Sequence, residues 1–239
     1  MVSGKYLTVR EYWLAWRQET VIDPELRIVD AHHHFYDRSG WTYLADDYLA
    51  DARSGHRVVA TVYMQAQTRY RADAAEALRP VGETEAVIAM TQASSTGGVM
   101  LAKGIVGHAN LRLGAAVSEV LEAHIHAGQG RFKGVRHLST WDADASLVNP
   151  LSAVPAGLLL DPMYQQGAAQ LAKHQLSYDA WLFFHQLPEL VELAKSMPDT
   201  PVIVNHCGGV VRIGAYSELR PQVHETWLKG MRELAALPN

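Results

Sequence analysis

Short apolar runs rich in β-branched residues alternate with longer stretches of helical periodicity along most of this chain. The runs predict six strands: Leu26–His32, Arg57–Gln65, Met100–His108, Arg131–His137, Leu176–Trp181 and Pro201–His206. Between them the pattern predicts helices over Thr68–Leu78, Gly82–Ala93, Ala115–Ala127, Pro162–Lys173 and Leu187–Ser196, with a last one over Glu218–Leu237. A short helix over Thr8–Gln18 carries Tyr12, Trp13 and Trp16 on one side, and Asp142–Pro155 reads as a long polar loop. Strands that alternate with helices are the signature of βα units and a parallel sheet. No repeat or low-complexity linker divides the chain, so one domain is expected over residues 26–239, preceded by a helical extension over residues 1–25.

The polar residues gather where those strands end. The first ends in Asp30, His32 and His34, which share one face of an extended chain. Gln65 and Gln67 follow the second strand, His108 and Asn110 the third, Arg136 and His137 the fourth. The fifth carries Tyr178 and Asp179, and the sixth ends in Asn205 and His206. Chemistry in a (β/α) barrel collects at the C-terminal ends of all strands, whereas a doubly wound sheet concentrates it at one switch point. Three separate histidine sites at strand ends favour the barrel.

Composition narrows the partners. At 239 residues and 48% hydrophobic the chain can bury a sizeable core. A net charge of −4 argues against a nucleic-acid or anionic-membrane surface. One cysteine, Cys207, excludes an intrachain disulfide and fits a reducing compartment. The N-terminus has no apolar signal core and no stretch is long enough to span a bilayer, so the expectation is a soluble, cytoplasmic protein.

Other motifs weaken on inspection. Gly128-x-Gly130 precedes a strand rather than opening a helix after one, so it is no dinucleotide fingerprint. Asp142-x-Asp144-x-Ser146 lacks the glycine and closing glutamate of a calcium loop and reads as a solvated turn. Cys207 reads as a small packed side chain rather than a nucleophile. His33, out of phase with its neighbours, is expected to pack, and His124 and His126 to face solvent. His185 and Gln186 could line a pocket mouth, and Lys133 is as readily a solvated lysine as a substrate contact.

Three blocks together are specific. They are Ile28-Val29-Asp30-x-His32-x-His34-x-Tyr36-Asp37, then Phe132-Lys133-Gly134-Val135-Arg136-His137, then Leu176-Ser177-Tyr178-Asp179-Ala180-Trp181 running on to Val204-Asn205-His206-Cys207-Gly208-Gly209. In this order they resemble the amidohydrolase-related family. The likeness is greatest to its metal-dependent hydrolases of the TIM-barrel fold, which include sugar-acid lactonases and 2-pyrone-4,6-dicarboxylate lactonase. The resemblance implies an α/β fold of (β/α)8 type, of which about six βα units are present here, the chain stopping before the last two strands. It implies a hydrolase that opens a lactone or related cyclic ester or amide of an acidic or sugar-derived small molecule with an activated water.

The resemblance also assigns roles. His32, His34 and His206 match the catalytic histidines and would hold one divalent ion, zinc, if a metal is used. Arg136 matches a position suited to a substrate carboxylate; Tyr178, Asp179, Gln65 and His108 are expected substrate contacts as polar residues of the strand ends, and Asp30, on the face of the histidines, is expected behind them. Tyr178 and Asp179 stand where decarboxylase relatives carry a ligand histidine, which leaves metal-free catalysis open. The family's general base, an aspartate on the last strand, has no counterpart here, so this chain is either a piece of a longer protein or a poorly active form. The substrate is expected to be anionic, and a homo-oligomer is possible. The alternatives are a zinc-dependent decarboxylase and a non-catalytic barrel that binds a ligand or partner.

Overall fold

The computed structural model describes residues 10–94, 97–148 and 153–239. In chain order it begins with α1 (Glu11–Leu14), β1 (Arg27–His33), the hairpin β2 (Tyr36–Arg38) and β3 (Trp41–Tyr43), and α2 (Ala45–Ala52). β4 (Arg57–Met64), α3 (Val81–Ala93), β5 (Met100–Gly107), α4 (Val117–Ala127) and β6 (Phe132–Val135) follow. The last part holds α5 (Pro162–Ala168), α6 (Gln170–Lys173), β7 (Ser177–Ala180), α7 (Leu187–Ser196), β8 (Val202–Val204), the short α8 (His206–Gly209) and α9 (Arg220–Ala235).

The six strands expected from the apolar runs all form, and they pair in parallel in the order β1-β4-β5-β6-β7-β8. The helices cover one side of this sheet. Leu101, Ile105, Phe132, Val135 and Tyr178 from the strands join Val117, Leu121, Leu190 and Leu193 from the helices in one buried cluster. The sheet curls, because the rings of His32 at the end of β1 and His206 just after β8 lie with centroids 5.0 Å apart although these two strands do not pair. The result is a half-barrel, a partial TIM barrel whose edge strands leave Val29 58% and Ile203 48% exposed.

Several expectations change. The helix expected over Thr68–Leu78 is a loop with a single 3-10 turn at Glu76–Leu78. Gln67 and Arg69 take left-handed φ angles, and the Arg71 amide donates to the Arg79 carbonyl at 2.9 Å, which closes the segment on itself. The β2–β3 hairpin and α2 were not expected. Tyr36 stacks on Trp41 at 4.0 Å across a turn where Gly40 has φ +80°. In the N-terminal segment only Glu11–Leu14 is helical, and the part of the Thr8–Gln18 expectation before Arg10 lies outside the described residues.

His124 does not face solvent. It shares a helix face with Val117, Val120 and Leu121, and it is fully buried. Its ring stacks on Phe132 at 4.7 Å and bonds the Thr84 hydroxyl at 2.8 Å and the His108 carbonyl at 3.0 Å. Asp142 is a buried partner, not a solvated turn residue: it accepts from His185 at 2.9 Å and from the Tyr216 hydroxyl at 2.8 Å. Cys207 is exposed rather than packed. No helix among the described residues is long and apolar enough to cross a membrane.

Candidate active site

The end of β1 is held from behind. Asp30 accepts the His32 amide at 3.0 Å and the Tyr48 hydroxyl at 2.7 Å, so it orients His32 through the backbone rather than through the ring. His33 turns to the helix side, among Phe35, Tyr48 and Tyr63, and bonds the Thr61 hydroxyl at 2.9 Å. His32 and His34 face the mouth of the half-barrel with their Nε2 atoms 3.2 Å apart.

Arg136 sits 2% exposed beside them. It donates to the Gln65 carbonyl at 2.6 Å, to His32 Nε2 at 3.2 Å and to Asn205 Oδ1 at 3.5 Å, and its guanidinium lies 5.0 Å from the centre of the Trp181 ring. Asn205 in turn donates to Asp179 at 3.0 Å. Burial lowers the Arg136 pKa to about 10, so the group stays cationic at neutral pH.

Burial, reinforced by the Arg136 charge, lowers His32 to about 4 and His34 to about 3. Both imidazoles are neutral at pH 7, and their partners set the tautomers. His34 Nδ1 lies 2.7 Å from the Met64 carbonyl, which can only accept, so Nδ1 carries the hydrogen and Nε2 keeps a lone pair. Arginine can only donate, so His32 Nε2 is also an acceptor. His34 Nε2 therefore keeps a free lone pair, while that of His32 Nε2 is taken by the Arg136 guanidinium.

The 3.2 Å spacing of the two Nε2 atoms matches two ligand positions of a zinc-like ion, and His32 would have to give up its Arg136 donor to serve as one. At tetrahedral angles, bonds of ~2.0–2.1 Å put two nitrogens about 3.3 Å apart. The fit stops at two. Among the described residues no group of three or more His, Cys, Asp or Glu side chains could hold an ion. The ring centre of His206 lies 5.0 Å from that of His32, the same separation as between His32 and His34.

His34 and Arg136 border a cleft of about 140 Å³ whose walls also include Tyr36, Trp41, Gln65 and Trp181, with His32 behind them. Both polar atoms of the Gln65 side chain are buried with no hydrogen-bond partner among the described residues. Asp179 is buried one step away, behind Asn205. Two of the expected contacts lie elsewhere. Tyr178 is buried in the apolar cluster and bonds the Tyr164 hydroxyl at 2.8 Å, because consecutive strand residues face opposite sides and Asp179 takes the inner one. His108 lines a separate cavity near His137. His185 pairs with Asp142, and Gln186 clamps the backbone of Ser139, Trp141 and Phe183. Missed from the sequence were Tyr36, Arg38 and Trp41, which the hairpin brings to the cleft. The Ser39-Gly40 pair between aromatic residues was the available signal.

The geometry can be set beside known proteins. An uncharacterized protein of Sinorhizobium fredii (strain NBRC 101917 / NGR234), y4mH, is 28% identical over 240 residues, spanning 90% of this chain and 71% of that protein. A crystal structure of an amidohydrolase from Burkholderia multivorans with bound HEPES superposes with a TM-score of 0.61 at 21% identity, over 88% of this chain and 67% of that one. A zinc-bound crystal form of an amidohydrolase from the same organism gives 0.58 at 22% identity, over 88% and 66%. Amidohydrolase 2 from Bifidobacterium longum subsp. infantis gives 0.54 at 18% identity, over 90% and 71%. The family model for amidohydrolases matches residues 29–239, the whole sheet with its histidine pair, and this chain belongs to that family.

Proposed function

We propose that this amidohydrolase opens a lactone, or a related cyclic ester, of an anionic small molecule. The observation that carries the reading is the buried guanidinium of Arg136, bonded to the neutral His32 imidazole, beside the neutral His34 imidazole whose Nε2 lone pair is free at the cleft. Arg136 binds a carboxylate or the developing oxyanion through a planar fork, and the Gln65 amide donates or accepts beside it. The neutral His34 imidazole accepts a hydrogen bond from an attacking water and so orients it. A divalent ion seated on His32 and His34 would supply Lewis-acid polarisation of the carbonyl.

The test is proton release from a panel of carboxylated lactones, run with and without added zinc, with carbon dioxide measured in parallel. Acid release from at least one lactone, lost in His34→Asn, is expected. Carbon dioxide without ring opening would point to a decarboxylase instead, and no product of either kind would overturn the hydrolase reading. A second reading, a barrel that binds a ligand without turning it over, is favoured by the absence of any carboxylate among the cleft-lining residues described. It predicts saturable lactone binding with no turnover.

A further inference from the structure

A larger cavity, about 630 Å³, lies at the same end of the sheet between the loops that follow β4, β5 and β6. Arg136 lines the histidine cleft while the next residue, His137, lines this cavity, so the two spaces open on different sides of the β6 end. Its inner lining is polar and its hydrogens can be placed. His137 Nδ1 accepts the Leu111 amide at 3.2 Å, which leaves the hydrogen on Nε2 as a donor. His108 Nδ1 donates to the Arg136 carbonyl at 3.3 Å, which leaves its Nε2 as an acceptor. Burial keeps both rings neutral at pH 7. The Tyr70 hydroxyl is buried with no partner among the described residues.

The outer lining carries two guanidinium groups. Arg112 is anchored through Nε to Asp161 at 3.1 Å and Arg79 through Nε to the Ala74 carbonyl at 3.2 Å. Among the described residues the terminal nitrogens of both forks have no partner. Among the described residues the cavity lining holds one carboxylate, Glu76, and Asp161 pairs with Arg112 from behind.

We propose that this second cavity is a binding site for a small hydroxy acid, its carboxylate on the Arg79 and Arg112 forks and its hydroxyl between His137 and His108. Exposed arginines capture the anion, and one donor beside one acceptor matches a hydroxyl, which is both. The site does not depend on the hydrolase reading, since it shares no side chain with the histidine cleft.

Calorimetric titration of the whole chain with L-malate, succinate and inorganic phosphate tests it, alongside the ring nitrogen resonances of the histidines. Malate is expected to bind more tightly than succinate, which lacks the hydroxyl, and to shift His108 and His137. Arg79→Gln and Arg112→Gln, both exposed positions, should each weaken malate binding about tenfold, the loss of one charged hydrogen bond. His34→Asn should leave malate binding unchanged. Equal affinity for succinate, tighter binding of phosphate, shifts confined to His32 and His34, or no binding at millimolar malate would each overturn the proposal.

Discussion

Glu83 shows how one buried residue holds the cleft. It is 3% exposed, and its Oε1 accepts the Tyr63 hydroxyl at 2.8 Å and the Ala66 amide at 2.6 Å. The chain around Ala66 is the hub of the site: the Met64 carbonyl holds His34, the Gln65 carbonyl holds Arg136, and the Ala66 carbonyl holds Arg38. Glu83→Leu would strand two buried donors and is expected to cost about 2–5 kcal/mol in urea denaturation. Glu83→Gln keeps an acceptor and should cost much less. Burial raises the Glu83 pKa to about 7. The folded state then holds the proton more tightly than the unfolded one, so this residue's contribution is full below about pH 4.5 and is lost as pH rises through 7. The Gln variant should therefore gain on the parent chain between pH 5 and pH 8. Arg136→Lys is a second test at this scale. A lysine cannot reach the Gln65 carbonyl and His32 together, and kcat/KM on any lactone found in the panel is expected to fall about ten- to a hundredfold with the circular dichroism unchanged.

Helices place the loops that carry the site, and two contacts decide how. Gly167 in α5 packs so closely on the 3-10 turn beginning at Leu111 that a Cβ would lie 2.0 Å from the Leu111 carbonyl. Gly167→Ala must push α5 away from that turn, and a loss of about 1–3 kcal/mol, read as a lower melting temperature, is expected. In α4, His124 links Thr84 of α3 to the carbonyl of His108. Burial lowers its pKa to about 4, and that of His137 to about 3. A free imidazole titrates near 6.5, so below that pH the unfolded chain binds the extra protons. Stability from these two groups is complete above about pH 6.5 and falls toward pH 4, by at most about 1.4 kcal/mol per pH unit for each. Urea midpoints between pH 7.5 and pH 5 check this, and His124→Phe should flatten the slope.

At the scale of the whole molecule the open sheet dominates. β1 and β8 each have one paired neighbour among the described residues, and Val29 and Ile203 on these edge strands are exposed. Unpaired parallel edges with apolar side chains favour association with another edge. The 239-residue chain is expected to self-associate, and Val29→Lys with Ile203→Lys should move the mass from light scattering toward that of a single chain. Because both positions are exposed, the melting temperature should hardly change.

Much of this molecule was legible before folding. Six strands, most of the helices and their parallel order follow from hydrophobic periodicity, which burial enforces locally. The pairing of His32 with His34 and the presence of Arg136 at the next cluster follow from spacing along single strands. The rest depended on contacts between distant segments. Tyr178 and Asp179 are adjacent on one strand, and only the curl of the sheet decides which faces the cleft. His124 looks like a polar helix residue until α3 and β6 enclose it. The Tyr36–Tyr43 hairpin carries three cleft-lining residues on a short local signal that became decisive only when Arg38 met the Ala66 carbonyl. Periodicity states which residues want burial, whereas the choice of what they are buried against, and hence the shape and proton inventory of both cavities, belongs to the tertiary fold.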